Sequence, residues 1–276
     1  MSLAKLREHE DILNRAVALF GEDSRVLGVY LAGSFAAGSP DKWSDIDLYV
    51  VVSNGEVDRV LRRHHELFGK VGPLLTLFPA THLGDPHQII AFYRASYPIH
   101  VDYQYRAVGD LIPQRKDTKV KILLERNHAL RKWRKACETA EETTDLAIQQ
   151  LQYFEDRFWA WCWYTHGKIL RGELWEARDG VEYLRTNVLV PLACASARVV
   201  YEGNRRVETR LDSTTQRRLE ETIPKQHTRH GYEQALANAM QVYETLFDSL
   251  PEAASAAHVD RKFFHSSLKD GMLGPE

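Results

Sequence analysis

The chain has little cysteine: three residues in 276, at positions 137, 162 and 194. None lies in a Cys-x-x-Cys spacing, which excludes a structural zinc ribbon. So sparse a set does not read as a disulfide framework either, and reduced thiols in a cytoplasmic protein are the expectation. There is no long apolar run. The best stretch, 188–200, is interrupted by Pro191 and Arg198. It therefore falls short of the ~18 uninterrupted apolar residues that cross a bilayer. Residues 1–20 mix acidic with apolar side chains and have no apolar block, so they do not read as a secretory leader. An excess of one charge is also missing. The formal net charge is −2, unlike the basic balance of a dedicated nucleic-acid binder, and a nucleic-acid partner is not expected. Internal repeats and low-complexity tracts are absent from the sequence.

What is present divides into two textures. At its length the chain has room for one large or two modest domains. In the first part, residues 3–20 have helical spacing at Leu6, Ile12, Leu13, Ala16, Val17, Leu19 and Phe20. Short apolar or β-branched runs follow at 26–32, 48–52, 74–78, 88–93 and 99–105, separated by Gly and Pro signals that mark strands. A helix with a basic face is expected over 59–68. From about residue 120 nearly all of the text has helical period, with helices expected at 118–135, 143–168, 173–202, 213–222 and 230–250. The expected architecture is α+β: a small domain with a mixed β-sheet and flanking helices over 1–115, followed by an all-α helical bundle over 116–276. The tail after Pro251 reads as loosely ordered.

Charge is unevenly spread. Residues 106–135 hold ten Lys/Arg against three Asp/Glu, and residues 138–156 hold six acids and no base. Few aromatics interleave the basic block. A solvated helix facing the acidic segment fits it better than a nucleic-acid track. His64-His65 and His227/His230 have no carboxylate or Cys partner at metal spacing and read as surface residues.

The chemically informative stretch is GSFAAGSPDKWSDIDLYVVV, residues 33–52. Residues i and i+2 of a strand face the same side, so Asp45 and Asp47 project together while Ile46 turns away. Two carboxylates ~4 Å apart repel by about 4 kcal/mol at an effective dielectric of 20. Either one is protonated or a cation sits between them. Hard oxygen ligands on a rigid strand suit Mg²⁺, whose remaining sites are filled by water and phosphate. Upstream, Gly33-Ser34 follows an apolar strand. A Gly-Ser turn offers backbone N–H groups and a hydroxyl to a phosphate, and the small residues at 36–39 keep the approach open.

The combination is more specific than its parts: an apolar strand, Gly33-Ser34, a nine-residue spacer, then Ser44-Asp45-Ile46-Asp47 entering a second apolar strand. It resembles the signature of the DNA polymerase β-type nucleotidyltransferase superfamily. The resemblance implies that Gly33 and Ser34 hold a triphosphate, with Ser44 beside them, and that Asp45 and Asp47 ligate Mg²⁺, two ions being expected. It implies a third carboxylate on a later, adjacent strand, as metal ligand, general base or both. Asp102 matches best, in IHVDYQY (99–105), with His100 and Gln104 on its face and His100 the weaker choice of base. Asp85 and Asp110 are the rivals, both in loop text.

The layout beyond the motif, with residues 168–179 (KILRGELWEARD), Leu184-Arg185 and 221–225 (ETIPK), is similar to the aminoglycoside and lincosamide nucleotidyltransferases. That similarity implies transfer of a nucleoside monophosphate, AMP from ATP, onto a hydroxyl of a small-molecule acceptor. Lys168 is then a candidate nucleotide contact, with Arg171 and Lys225 behind it. Charge complementarity to a helix C-terminus is an ordinary alternative for Lys168 and Arg171. On the 143–168 helix, Ala147, Leu151, Phe154, Phe158, Trp161 and Cys162 form the expected core stripe. Asp145, Gln149, Gln152, Asp156, Trp159 and Trp163 form a face that suits a polyhydroxylated cation or a solvated surface. Competing functions are nucleotidylation of a protein or RNA, and nucleotide binding without catalysis. A monomer or a homodimer fits equally, and no membrane association is expected.

Overall fold

The computed structural model describes residues 6–141, 146–256 and 259–272. It separates into two compact units, Met1–Glu142 and Thr143–Glu276. The first unit therefore runs past the expected junction at 115/116.

The first unit opens with α1 (Arg7–Gly21), whose Ile12, Ala16, Leu19 and Phe20 fall on one buried face. Then come β1 (Val26–Leu31), the single-turn α2 (Gly33–Ala36), β2 (Ile46–Val52) and α3 (Val57–His65). The strands β3 (Leu74–Pro79), β4 (Gln88–Arg94), β5 (Pro98–Ala107) and β6 (Lys121–Glu125), and the helix α4 (Ala129–Cys137), complete it. The six strands form one mixed sheet in the order β3-β4-β5-β2-β1-β6. β2 and β5 run parallel, and the other neighbours are antiparallel.

The sheet separates its two faces by simple alternation. Ile46, Leu48, Val50 and Val52 of β2 and Val101, Tyr103 and Tyr105 of β5 point into the larger core with Phe20, Val60 and Phe68. Phe20 meets Tyr103, Tyr105 and Phe68 edge-on, at centroid distances of 5.6, 6.3 and 6.4 Å. Such pairs contribute about 0.5–1.5 kcal/mol each beyond burial. The other face is covered only in part. There Tyr30 and Val51 pack with Leu130, Trp133 and Cys137 of α4. Gly28 permits that approach, since a Cβ there would overlap the Leu130 side chain. The uncovered end of this second face carries the polar residues of β2 and β5.

The segment 118–135 is not one helix. A 3-10 turn ends at Lys119, Lys121–Glu125 is an edge strand on β1, and the α-helix is confined to Ala129–Cys137. Asn127 and His128, both at positive φ (63° and 55°), turn the chain between them. Arginines of the basic block are used inside this unit. Arg126 donates to the carbonyls of Gly21, Asp23 and Val26, Arg131 pairs with Glu125 at 2.7 Å, and Arg115 donates to the Glu138 carbonyl. His64 is not a surface residue. It is buried, with Nδ1 3.0 Å from the Tyr105 hydroxyl.

The second unit is helical: α5 (Ile148–Leu170), α6 (Leu174–Leu184), α7 (Val190–Ser196), α8 (Val207–Arg210), α9 (Ser213–Glu220), α10 (Arg229–Phe247) and α11 (Arg261–Met272). Between α6 and α7 the chain widens into a π turn, Arg185–Leu189. Pro191 explains it, because its ring and missing N–H disfavour a regular α turn at that point. The helix ends at Ser196 rather than continuing to 202, and Arg198 has φ 53°. Among the described residues after Pro251, Pro251–Ser255 form a short 3-10 turn and Arg261–Met272 form α11, where Arg261 pairs with Glu155 at 2.8 Å.

On α5 the expected core residues Leu151, Phe154, Phe158 and Cys162 are buried, but the two tryptophans exchange places. Trp159 is fully buried, against Phe158 and Tyr243, whereas Trp161 is 41% exposed. Asp145, expected on the polar face, lies outside the described residues. The cysteines are unpaired and buried. Among the described residues no helix is long and apolar enough to cross a membrane.

Candidate active site

The site is built where β1 and β2 exchange the chain. The Ala32 N–H, one residue past β1, donates to the Asp47 carbonyl at 2.9 Å. This fixes the following turn against β2. Gly33 then enters α2 at φ 62°, and a Cβ there would overlap Asp47 Oδ2. Only glycine allows both the left-handed backbone and the carboxylate at that place. The Ser34 hydroxyl is buried and makes no hydrogen bond within the protein. A buried hydroxyl without a partner is costly, and a phosphate oxygen or a metal-bound water would satisfy it.

Asp45 and Asp47 flank Ile46 at the start of β2. In the parallel pairing Asp47 stands opposite Asp102 and Ile46 opposite Val101. The fold thus brings the predicted third carboxylate to the first two. Asp102 is buried, and His100 Nε2 lies 3.0 Å from its Oδ1. One donor atom each from Asp45, His100 and Asp102 lie within 4.8 Å of one another. The Asp102 hydrogen bond raises the His100 pKa, as do the charges of Asp102, Asp45 and Asp47; burial opposes them. The Asp47 charge, after burial, also raises the Tyr49 pKa. Three carboxylates converging on one end of a sheet call for a cation. The oxygen donor set, the unpartnered Ser34 hydroxyl and the Gly33 cradle all fit a divalent metal carrying a phosphate ligand.

The rival carboxylates are placed elsewhere. Asp85 pairs with Arg106 at 2.6 Å, and Asp110 is exposed in the short turn after β5. Ser44 closes a turn. Its hydroxyl accepts from the Asp41 N–H at 2.9 Å and lies 3.2 Å from Asp41 Oδ1, and the His9 ring bonds the Ser44 backbone. That turn delivers Asp45 to the strand. Lys168 belongs to the second unit, where Nζ meets Glu173 Oε2 at 2.7 Å and lies 5.1 Å from the Tyr164 ring centroid. The same unit has a cleft of about 240 Å³ between α5 and α6, lined by Trp161, Tyr164, Glu176, Asp179 and Tyr183, with Thr165 and Gly180. Gly180 has no room for a Cβ against Thr165. Trp161, expected in the core, instead lines this cleft, while Leu151, Phe154, Phe158 and Cys162 of the same expected stripe are buried.

Residues 9–93 match the family model for a nucleotidyltransferase domain. The match contains Gly33, Ser34, Asp45 and Asp47 and ends before Asp102. No curated protein matches the chain. Two solved structures are loosely similar. One is an aminoglycoside 6-adenyltransferase from Bacillus subtilis, 12% identical, covering 96% of this chain and 97% of that one at a TM-score of 0.47. The other is a nucleotidyltransferase-like protein from Exiguobacterium sibiricum, 13% identical, covering 89% and 77% at a TM-score of 0.40. Residues 9–93 thus carry a nucleotidyltransferase domain, with the Gly-Ser turn directly after β1 and the paired aspartates at the start of the neighbouring β2.

Proposed function

We propose that the protein transfers a nucleoside monophosphate, AMP from ATP, onto a hydroxyl of a small cationic acceptor in a Mg²⁺-dependent reaction. The observation that carries this is the register of Asp47 on Asp102, with Asp45 at the same end of the sheet. Asp45, Asp47 and Asp102 would hold two metal ions, which when bound supply a Lewis acid at the transferring phosphoryl group and neutralise charge on the leaving pyrophosphate. Gly33 leaves its backbone open to the triphosphate, and the Ser34 hydroxyl donates to a phosphate oxygen. Asp102, buried and bonded to His100, is placed to receive the acceptor proton as the acceptor oxygen attacks the α-phosphorus. The acceptor's proton, whether it passes to Asp102 or to solvent, balances departure of pyrophosphate. Most of the rate then comes from positioning and fixed charge.

The acceptor class rests on the second unit. Its cleft combines three aromatic rings with the carboxylates of Glu176 and Asp179. Trp161 meets Tyr164 at 90° and Tyr183 at 57°, so the rings wall a corner rather than stack. Aromatic faces beside carboxylates suit a protonated amine. We assign nucleotide chemistry to the first unit and acceptor binding to the second. Arg106, Arg115, Arg126 and Arg131 are engaged within the first unit, which supports a small acceptor over RNA. A soluble cytoplasmic enzyme, monomeric or dimeric, fits this reading.

The test is transfer of label from α-³²P nucleoside triphosphates to a panel of amino sugars, aminoglycosides, lincosamides, RNA and protein. Label is expected on a cationic, hydroxylated small molecule, with ATP preferred, only with divalent metal, and not with Asp47→Asn. Label on RNA or protein, or nucleotide binding without transfer to any acceptor, would overturn it.

A further inference from the structure

The paired-aspartate motif does not require a histidine, yet His100 stands in the site. The separation of its Nε2 from Asp102 Oδ1, 3.0 Å, has a specific meaning. Donors ~2.1 Å from one six-coordinate ion lie about 3.0 Å apart when adjacent and about 4.2 Å apart when opposite. Asp45, His100 and Asp102 offer donor atoms that all lie within 4.8 Å of one another, so a closing movement of a few tenths of an ångström is enough to set all three on one ion. The imidazole is also held in place. It stacks on Phe92 with centroids 4.6 Å apart and planes 11° from parallel. The β4–β5 pairing sets Phe92 opposite His100, and β5 itself is central in the sheet. A ring fixed in this way loses little freedom on binding a metal.

We propose that His100 is a nitrogen ligand of the metal held by Asp45 and Asp102, and that it moves the site's preference from Mg²⁺ to Mn²⁺. This rests on the reading that those two aspartates are metal ligands. The chemistry follows from the donor types. Mg²⁺ takes oxygen ligands and gives up water reluctantly, whereas imidazole binds first-row transition ions readily. A site of carboxylates alone discriminates weakly; one nitrogen in place of an oxygen adds affinity for Mn²⁺ and little for Mg²⁺. The other arrangement is one in which His100 only donates a hydrogen bond to Asp102 and orients it, with no bond to the ion.

Pulsed EPR of the full-length protein loaded with Mn²⁺, alone and with a non-hydrolysable ATP analogue, separates the two. Nitrogen modulation from a directly bound imidazole is expected in the wild type and absent in His100→Gln. A competition titration should show Mn²⁺ bound at least roughly tenfold more weakly by His100→Gln, with Mg²⁺ affinity nearly unchanged. Bound Mn²⁺ without nitrogen modulation overturns the ligand assignment while leaving the aspartate site intact. Nitrogen modulation with equal losses for both ions overturns the selectivity. Wild-type protein that binds neither ion, with or without nucleotide, overturns the metal reading itself. The wild-type spectrum decides the ligand question even if the variant does not fold.

Discussion

Asp47 and Asp102 are register partners on the parallel strands β2 and β5, 55 positions apart in sequence and directly opposed in the sheet. Buried hydrophobic partners on the opposite face, Ile46 and Leu48 beside Val101 and Tyr103, hold that opposition in place. Fold stability and site geometry are therefore coupled through alternate residues of the same two strands.

Replacing either carboxylate should separate activity from stability. Asp47→Asn or Asp102→Asn is expected to lower the transfer rate about 10³-fold, on the order of 4 kcal/mol of transition-state stabilisation. The thermal midpoint should stay level or rise, because repulsion among Asp45, Asp47 and Asp102 is reduced in the metal-free protein. Rate and melting curve measured on the same preparation check this; a variant within tenfold of wild type would remove that residue from the metal set.

Gly33 and Gly38 form a matched pair for a second test. Both have positive φ, 62° and 72°, but a Cβ on Gly33 meets Asp47, whereas one on Gly38 has nothing within 4 Å. Gly33→Ala and Gly38→Ala should each cost about 1 kcal/mol for the left-handed backbone. Only Gly33→Ala should also lose activity, by roughly 10²-fold, because it displaces a ligand. Equal activity in the two variants would mean that the carboxylate is not held by the glycine.

These residues mark what could be read from the sequence. The Gly-Ser turn, the paired aspartates and five of the strands were legible because each is a local pattern with a local cause. Asp102 needed the additional expectation of an adjacent strand. β6 was not legible. Its Lys121 and Glu125 ends match a charged helix as well as an edge strand, and only the open side of β1 decides between them. The burial of Trp159 rather than Trp161 was hidden for a similar reason. Aromatic residues fill α5 on several sides, and the partners that choose the buried side, Tyr243 and α11, lie some 80 residues or more away in sequence. His64 read as a surface residue because its partners, Asp23 and Tyr105, come from distant segments.

The burial of His64 makes acid stability measurable. Desolvation lowers its pKa from 6.5 to about 4, against the pull of the Asp23 charge, with Arg25 and Arg63 adding to the decrease. Between those values the unfolded chain binds a proton that the folded protein does not, so stability falls as pH drops from about 6.5 to about 4. The full effect is on the order of 3 kcal/mol. Asp23, held at about 2 chiefly by its Arg25 hydrogen bond, extends the loss below pH 4 in the same direction. Urea unfolding followed from pH 8 to pH 4 should show this slope, and His64→Gln should flatten it above pH 4. A wild-type profile flat over that window would contradict the buried neutral imidazole.

The anchoring of α11 can be tested through Glu155. Its carboxylate is fully buried and accepts from Tyr243 at 2.7 Å and from two nitrogens of Arg261, at 2.8 and 2.9 Å; Arg261 also reaches Asp248 at 2.9 Å. Arg261→Met removes the cation from beside a buried carboxylate, which costs about 3–5 kcal/mol. Adding Glu155→Gln to that variant removes the charge and should recover most of the loss, since a buried ion pair replaced as a whole is often near neutral. Trp159 reports on the region, because it packs against Phe264 and His265 of α11. Its fluorescence during urea unfolding is expected to move to lower denaturant in Arg261→Met and back in the double variant. A loss in the single variant no larger than the ~0.5 kcal/mol of an ordinary surface substitution would show that α11 is not anchored through Glu155.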